Sequence, residues 1–368
     1  MISFNLILPE LNDYITMMGG ENQKGLIILL FSVAALLVRP FSGKLADTIG
    51  RKKVMIFGIA MSVIALLIYP SVEVVFYFLL LRFMHGTGAG FFPTAATALV
   101  TDVLPVEKRG AGMGVWGVFI SIGFGTGQFI ASTITLSFGL TVLFLIASAF
   151  GLISLILICF IKETLPNPIK FRLSLLSIRL NDVFEPTVIP ASIVMLLSVT
   201  SSGIIFVLTP EMSVFFGEPN KGWFFGFYVL STIFVRLFAS SLSDRIGRRK
   251  TLLIGISIML ISIVLLALST EIVMFTVAAI VFGIATGINS PTLFAWTADL
   301  SPEHRRGIGA GTLFIALELG IMLGSGSTLF IYDNNIESIP FAFSFGIALL
   351  AICILYLIWH LRNRHSKT

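Results

Sequence analysis

A few ionisable side chains lie inside long apolar stretches, and these residues are the ones most able to do chemistry. Glu10 lies near the amino terminus, Arg82 lies eight residues into an apolar stretch, and Glu318 is flanked by Leu317 and Leu319. An ionised group at the centre of a bilayer costs about 2.5–3.5 kcal/mol on insertion scales. A carboxyl group in an apolar wall is suited to carrying a proton. We therefore expect Glu10 and Glu318 to bind a proton or the substrate, and a merely hydrogen-bonded buried acid is the alternative.

Other polar residues in apolar stretches extend this set. Asp13 shares a helix face with Glu10, although solvation at the membrane surface would also explain it. Arg82 either has a functional role or extends its aliphatic chain so that its charged group reaches the outer membrane interface. Gln128 and Asn289 are candidates for polar contacts with a bound solute. Because no zinc-protease, nucleotide-binding or nucleophile-elbow motif occurs, we expect no metal, no cofactor and no enzymatic activity.

A second set of charged residues lies in short loops whose sequences repeat. The segment from Arg39 to Lys53 is similar to the segment from Arg236 to Lys250, at an offset of 197 residues. The set comprises Gly43, Asp47, Gly50, Arg51, Asp102 and Arg109, followed by Asp244, Gly247, Arg248, Asp299 and Arg306. We expect Gly43 and Gly50 to bracket a tight turn, because a side chain there would obstruct two helix ends.

The sequence around these residues is that of a membrane protein. Of its 368 residues, 56% are hydrophobic and 12% are charged, whereas a soluble domain carries about 25% charged residues. This composition excludes a disordered chain, a disulfide scaffold and an ordinary soluble enzyme. With about 20 apolar residues per span, we predict twelve spans at 1–18, 25–46, 54–72, 74–100, 110–136, 139–161, 188–209, 222–242, 251–270, 271–298, 307–331 and 339–361. The first span is short, as if truncated.

The basic residues predict the orientation of these spans. With both termini on one side, 19 of the 24 lysines and arginines fall in loops on that side. Only Lys24 and Lys221 fall on the other side, and three arginines lie in or at the edge of spans. Because basic loops stay in the cytoplasm, we expect both termini to be cytoplasmic. The net charge of +5 thus reflects topology, and we expect no nucleic-acid binding.

Three segments of the chain resemble signatures of one family. The stretch Gly43 to Lys52 resembles the loop signature between spans two and three of the major facilitator superfamily. The stretch Arg82 to Gly90 resembles a signature of span four, and Lys162 to Pro166 resembles the segment that often closes span six. Over its whole length the sequence is identified as a member of this superfamily, and it resembles the drug- and metabolite-exporting branch.

The resemblance implies an all-α polytopic membrane protein with twelve transmembrane helices in two pseudo-symmetric six-helix halves. We expect an N-terminal bundle at 1–161, a cytoplasmic central loop at 162–187 and a C-terminal bundle at 188–368. It further implies a central cavity loaded from one side at a time. By the same resemblance, Arg51 pairs with Asp102, and the charged loops latch the cytoplasmic side in the outward-open state. The alternative is that these loops only set the topology and the stability of the protein.

We therefore expect a secondary active transporter, in particular a proton-coupled exporter of a drug or metabolite that acts as an antiporter. Proton-coupled uptake of a sugar or other metabolite is the alternative within the same class. A membrane-embedded enzyme is the alternative from another class. The expected partners are a small-molecule substrate, protons and the lipid bilayer, and the expected state is a monomer in a bacterial inner membrane.

Overall fold

The computed structural model describes residues 1–105, 109–177, 183–239, 242–302 and 306–365. Side chains at 109–112, 114, 238–239, 306–307 and 363–365 are also outside the description. Within these ranges every regular element is helical, and each of the twelve predicted spans consists largely of helix. The helices are α1 (Ile2–Asn5), α2 (Leu11–Met17), α3 (Lys24–Thr48), α4 (Arg51–Ile68), α5 (Val75–Val103), α6 (Arg109–Phe138), α7 (Leu140–Phe160), α8 (Ile189–Phe215), α9 (Trp223–Ala239), α10 (Leu242–Ile246), α11 (Arg248–Ala267), α12 (Ile272–Leu300), α13 (Arg306–Ile331) and α14 (Ile339–His365).

Most of these helices are long and apolar enough to cross a bilayer. Nine helical ranges among the described residues satisfy both conditions, and one of them, Val115–Phe160, contains most of α6 and all of α7. Helix α9 adds a shorter apolar segment, Trp223–Leu237. Since an α-helix satisfies its own backbone hydrogen bonds, this is the structure expected of apolar segments in lipid.

The first span is broken into pieces. A 3₁₀ turn, Leu8–Glu10, separates α1 from α2 and begins with Pro9 near its start. Proline lacks the backbone N–H that a continuous helix would need at that position. Within its unit the segment packs on α6, where Gly127 comes close to the backbone of Ile2 and Leu6. A Cβ on Gly127 would lie 3.2 Å from Ile2 O and from Leu6 N, so a side chain there would crowd this contact.

The helices form two compact units. Unit 1 contains residues 1–20 and 30–184, and unit 2 contains residues 21–29 and 185–368. The boundary between Phe184 and Glu185 lies within the expected central loop at 162–187, and in addition the first turns of α3 group with the second unit. Both cysteines are free, with Cys159 exposed and Cys353 buried.

Glycines set the closest helix contacts inside each unit. In unit 1, α4 packs on α5, and a Cβ on Gly58 would lie 2.6 Å from the backbone nitrogen of Phe92. In unit 2, α8 packs on α13, and a Cβ on Gly203 would collide with the backbone of Ile321. Small residues let helix backbones approach closely in membranes, where apolar burial gives little driving force between helices.

Candidate functional site

The first-half loop cluster comprises Asp47, Arg51 and Asp102, at the ends of α3, α4 and α5. The Arg51 guanidinium contacts both carboxylates, with Nη1 at 2.9 Å from Asp47 Oδ1 and Nε donating to Asp102 Oδ2 at 3.2 Å. The Arg51 side chain is 12% exposed, whereas that of Asp47 is 68% exposed. One shielded arginine thus connects two carboxylates on neighbouring helices.

A carboxylate from the loop after α7 completes the start of α4. The Glu163 side chain accepts hydrogen bonds from the backbone N–H groups of Arg51 at 3.0 Å and Lys52 at 3.1 Å. The same carboxylate accepts from the N–H groups of Thr164 and Leu165. An anion at this position satisfies orphan donors and the positive end of the helix dipole. The sequence offered Glu163 only as part of a family signature, with no indication of this capping role.

The second-half loop cluster has the same construction, with Asp244, Arg248 and Asp299. Arg248 Nε donates to Asp299 Oδ2 at 2.9 Å, and Arg248 Nη1 donates to Asp244 and to Ser243 Oγ. The internal repeat in the sequence therefore corresponds to a repeat in side-chain contacts. The remaining arginines of the predicted set, Arg109 and Arg306, have side chains outside the described residues.

The prediction for Gly43 is wrong in its geometry. Helix α3 runs on to Thr48, so Gly43 lies within a helix and only Gly50 lies in the turn. A Cβ added to Gly43 would meet no described atom within 4 Å. Gly50 does require glycine, since its φ is +118° and a Cβ there would collide with the Glu163 carboxylate. Gly247 has a φ of +90° at the equivalent turn.

The interior of unit 1 contains a buried carboxylate at Glu10. Glu10 is 2% exposed, and Ser132 Oγ of α6 donates to its Oε1 at 2.5 Å. Asp13, one turn further on, is exposed. The structure thus separates two acids that the sequence placed on one helix face.

The same unit holds a buried arginine at Arg82. Its side chain is 2% exposed, its guanidinium carbon lies 4.5 Å from the centroid of the Phe31 ring, and Nη1 lies 3.5 Å from His85 Nδ1. His85 is fully buried and stacks on Phe4. Arg82 therefore does not extend to the surface. A guanidinium among aromatic rings can attract an anionic group.

Two buried amides and a second carboxylate complete the predicted set. Gln128 in unit 1 and Asn289 in unit 2 are both buried, and neither amide group has a hydrogen-bond partner among the described residues. Such groups ordinarily bind water or a ligand. Glu318 is 5% exposed within unit 2. No group of three or more potential metal ligands occurs among the described residues.

Unit 2 also contains a polar cluster that was not predicted from the sequence. The Glu211 carboxylate of α8 lies 2.9 Å from Lys24 Nζ at the start of α3, and it accepts the hydroxyl hydrogen bond of Tyr332 after α13. In the sequence, Pro210-Glu211 is the counterpart of Pro9-Glu10 in the other half, and Lys24 is the counterpart of Lys221. That signal pointed to Glu211, but the sequence did not identify its partners.

Comparison with known proteins places these features in context. The family model described as Major Facilitator Superfamily matches residues 1–177 and 191–368. The multi-drug resistance efflux pump PmrA of Streptococcus pneumoniae is 28% identical, over 82% of this chain and 78% of the pump. Multidrug resistance protein 2 of Bacillus subtilis is 32% identical, over 47% of this chain and 44% of that protein.

A solved structure supports the fold independently. The crystal structure of the human organic anion transporter MFSD10 (TETRAN) is similar to this chain with a TM-score of 0.73. The similarity covers 97% of this chain and 95% of the human protein, at 19% sequence identity. At this identity the similarity bears on the fold alone.

Proposed function

Because the chain belongs to the Major Facilitator Superfamily, and is thus a multi-pass membrane transporter and not an enzyme, we propose that it exports small molecules by alternating access. The proposal rests chiefly on similarity to proteins named as multidrug efflux pumps, one of which aligns over 82% of this chain. The substrate class that follows is amphipathic drugs or metabolites. Proton-coupled uptake of a sugar remains the competing function.

We further propose that protons drive this export through Glu10 and Glu318. The observation that supports this is the burial of both carboxylates, at 2% and 5% exposure, inside units whose helices are long and apolar enough to cross a membrane. Ser132 Oγ donates a hydrogen bond to the Glu10 carboxylate. We infer that this hydroxyl stays beside the carboxylate while the carboxylate loses and regains its proton. An exchange of substrate for proton at such a group links transport to the pH gradient.

Reconstitution into proteoliposomes tests both statements. Ethidium serves as the probe, and an imposed pH gradient serves as the energy source. We expect gradient-driven ethidium movement that is abolished in the Glu10→Gln or the Glu318→Gln variant. Glu73→Gln is the matched control, because Glu73 is exposed and should be dispensable. Ethidium movement independent of the gradient and unaffected by either variant would refute proton coupling, whereas proton-driven sugar accumulation would indicate uptake.

The loop clusters are proposed to gate the cytoplasmic side. Each cluster joins three helix ends through one arginine, so a change in the position of any helix end must stretch or break its contacts. Asp47→Asn should reduce transport while leaving membrane insertion intact, because the substitution removes charge without removing bulk. Normal transport by this variant would leave the clusters with a structural role only.

The proposed location is the cell membrane of a bacterium, with both termini in the cytoplasm and the protein acting as a monomer. The 19-to-2 distribution of basic residues supports the orientation. Labelling of single cysteines introduced at Lys24 and Lys367 with a membrane-impermeant reagent on whole cells should modify only the first.

A further inference from the structure

The chain that follows α7 is held against unit 1 by several contacts. The backbone N–H of Ile169 donates to the carbonyl of Thr48, the last residue of α3, at 2.9 Å. Lys44 Nζ, also in α3, donates to the carbonyl of Ser177 at 2.5 Å. Between these points, Leu175 packs against the buried apolar core of unit 1. This segment therefore has a fixed place at the end of α3.

Residues 169–173 of this segment, which we call the central strip, alternate between large apolar and basic side chains. The apolar members are 49%, 52% and 78% exposed, in the order Ile169, Phe171 and Leu173. The basic members, Lys170 and Arg172, are exposed as well. Removing large apolar side chains from water is favourable, and exposed apolar patches commonly mark a surface that binds a membrane or a protein. The central strip is therefore a candidate interaction surface.

The position of the central strip indicates that the lipid bilayer covers it. The apolar span Glu21–Thr48 ends at the residue that accepts the Ile169 hydrogen bond, and the next span begins at Arg51. The central strip thus lies at the level where the apolar core of a bilayer meets its head groups. Phe160, the last residue of α7, is 82% exposed, as expected of a side chain that contacts lipid shortly before this segment. Apolar side chains at this level reach the bilayer without any further partner.

The basic members of the central strip indicate which lipids it prefers. Basic residues at the membrane surface are attracted to anionic head groups, and their long aliphatic chains let the charge stay at that level beside apolar neighbours. We propose that the central strip inserts its apolar side chains into the bilayer and binds anionic phospholipid through Lys170 and Arg172. The proposal depends neither on the transported substrate nor on the direction of transport.

Fluorescence quenching of a single label tests the insertion. The full-length protein carries a bimane label on Phe171→Cys, in a Cys159→Ser/Cys353→Ser background, in nanodiscs of phosphatidylcholine and phosphatidylglycerol. A doxyl group high on the lipid acyl chain should quench this label, and aqueous iodide should not. Asn167→Cys is the matched control, because Asn167 is an exposed polar residue two positions before the central strip. Its label should be quenched chiefly by iodide.

Changes of charge test the recognition of anionic lipid. In the Lys170→Gln/Arg172→Gln variant, the ratio of inserted to free label should fall roughly tenfold, because two basic residues at an anionic surface are lost. Replacing phosphatidylglycerol by phosphatidylcholine should have the same effect on the parent protein. The matched control is Arg245→Gln/Lys250→Gln, which makes the same change in net charge at exposed residues of unit 2. This control should keep the label inserted.

A further variant separates the central strip from its label. Ile169→Gln/Leu173→Gln, labelled at Phe171→Cys, should lose quenching by lipid, and unchanged quenching would attribute the insertion to the label itself. Iodide quenching at Phe171→Cys equal to that at Asn167→Cys would place the strip in water and overturn the proposal. A label that neither quencher reaches would place the strip against protein, such as a second copy of the chain. Equal insertion in the charge variant and its control would overturn the recognition of anionic lipid.

Discussion

Gly50 and Gly247 occupy equivalent turns, but their surroundings differ. Both have a positive φ, at +118° and +90°, which a residue with a side chain adopts only at a cost. Only Gly50 has a carboxylate against the place that a Cβ would fill. The difference arises from Glu163, which the loop after α7 brings back to the start of α4.

This difference predicts unequal effects of alanine at the two turns. Gly247→Ala should cost about 1–2 kcal/mol of stability through backbone strain. Gly50→Ala should cost roughly 1.5–3 kcal/mol more, because it also displaces the charged cap from two backbone donors. Thermal unfolding in detergent would measure both. Equal losses in the two variants would contradict the capping role of Glu163.

For individual residues, the sequence identified which charged side chains are candidates for a role, but it identified few of the residues that they contact. The pairing of Arg51 with Asp102 followed from the family resemblance, and the structure contains that contact. The role of Glu163 did not follow, because a repeat in sequence indicates equivalent positions but not where an intervening loop folds. The contacts of Glu211 with Lys24 and Tyr332 were not predicted either, because both partners are distant from Glu211 in the sequence.

Between helices, the contact of α8 with α13 depends on two glycines. A Cβ on Gly324 would collide with the carbonyl of Thr200, and a Cβ on Gly203 would lie 3.0 Å from the Cα of Gly324. The obstructing atoms are backbone atoms, which cannot move aside as a side-chain tip can. The two helices must therefore separate to accommodate any larger residue.

We predict that Gly324→Leu destabilises unit 2 through this contact. The expected cost is on the order of 1–3 kcal/mol or more, as for overpacking in a well-packed core. Gly311→Leu in the same helix is the control, because a Cβ on Gly311 meets no described atom within 4 Å. The yield of monodisperse protein and its thermal unfolding would compare them. A comparable loss in the control would point to an effect of leucine itself.

The extent of most spans was predictable from apolar length, because length and composition decide which segments cross a bilayer. The interruption of the first span was not predicted. Its residues are apolar enough, yet Pro9 removes a backbone donor and the chain continues as short helical pieces. Similarly, Gly43 was predicted to bracket a turn because a side chain there would obstruct two helix ends, whereas α3 includes it.

At the scale of the whole chain, the division into units does not follow the central loop alone. Residues 21–29 group with unit 2, although the rest of α3 belongs to unit 1. Their contacts explain this, since Lys24 pairs with Glu211 and Asn22 hydrogen-bonds to Asn334. Sequence repeats place boundaries where the repeat ends, so they cannot indicate a helix shared by two units.

We predict that these contacts hold the start of α3 in place. Glu211→Gln should increase hydrogen exchange at residues 21–29 roughly fivefold, as expected for loss of a partly buried ion pair worth about 1 kcal/mol. Tyr332→Phe should have a smaller effect, because Lys24 and Glu211 remain paired. Unchanged exchange in the Glu211→Gln variant would contradict the assignment of this segment to unit 2.

The hydrogen bond from Tyr332 to Glu211 should be insensitive to pH over the physiological range. Burial and then the charge of Glu211 raise the pKa of Tyr332 above its usual value. The hydroxyl donates its hydrogen bond only while protonated, so this contribution is complete below about pH 10 and is lost only above it. Hydrogen exchange at residues 21–29, corrected for the intrinsic rate, should therefore be the same at about pH 6 and about pH 9.

The length of helix α3 turns a small tilt into a large displacement of its first residues. Its 25 residues extend over about 37 Å, so a tilt of about 10° about its far end would displace Lys24 by about 6 Å. The Lys24–Glu211 pair is 2.9 Å apart and cannot stretch by such an amount. A small rotation of the helix would therefore break this ion pair completely. A spectroscopic probe attached near Lys24 would detect such a rotation.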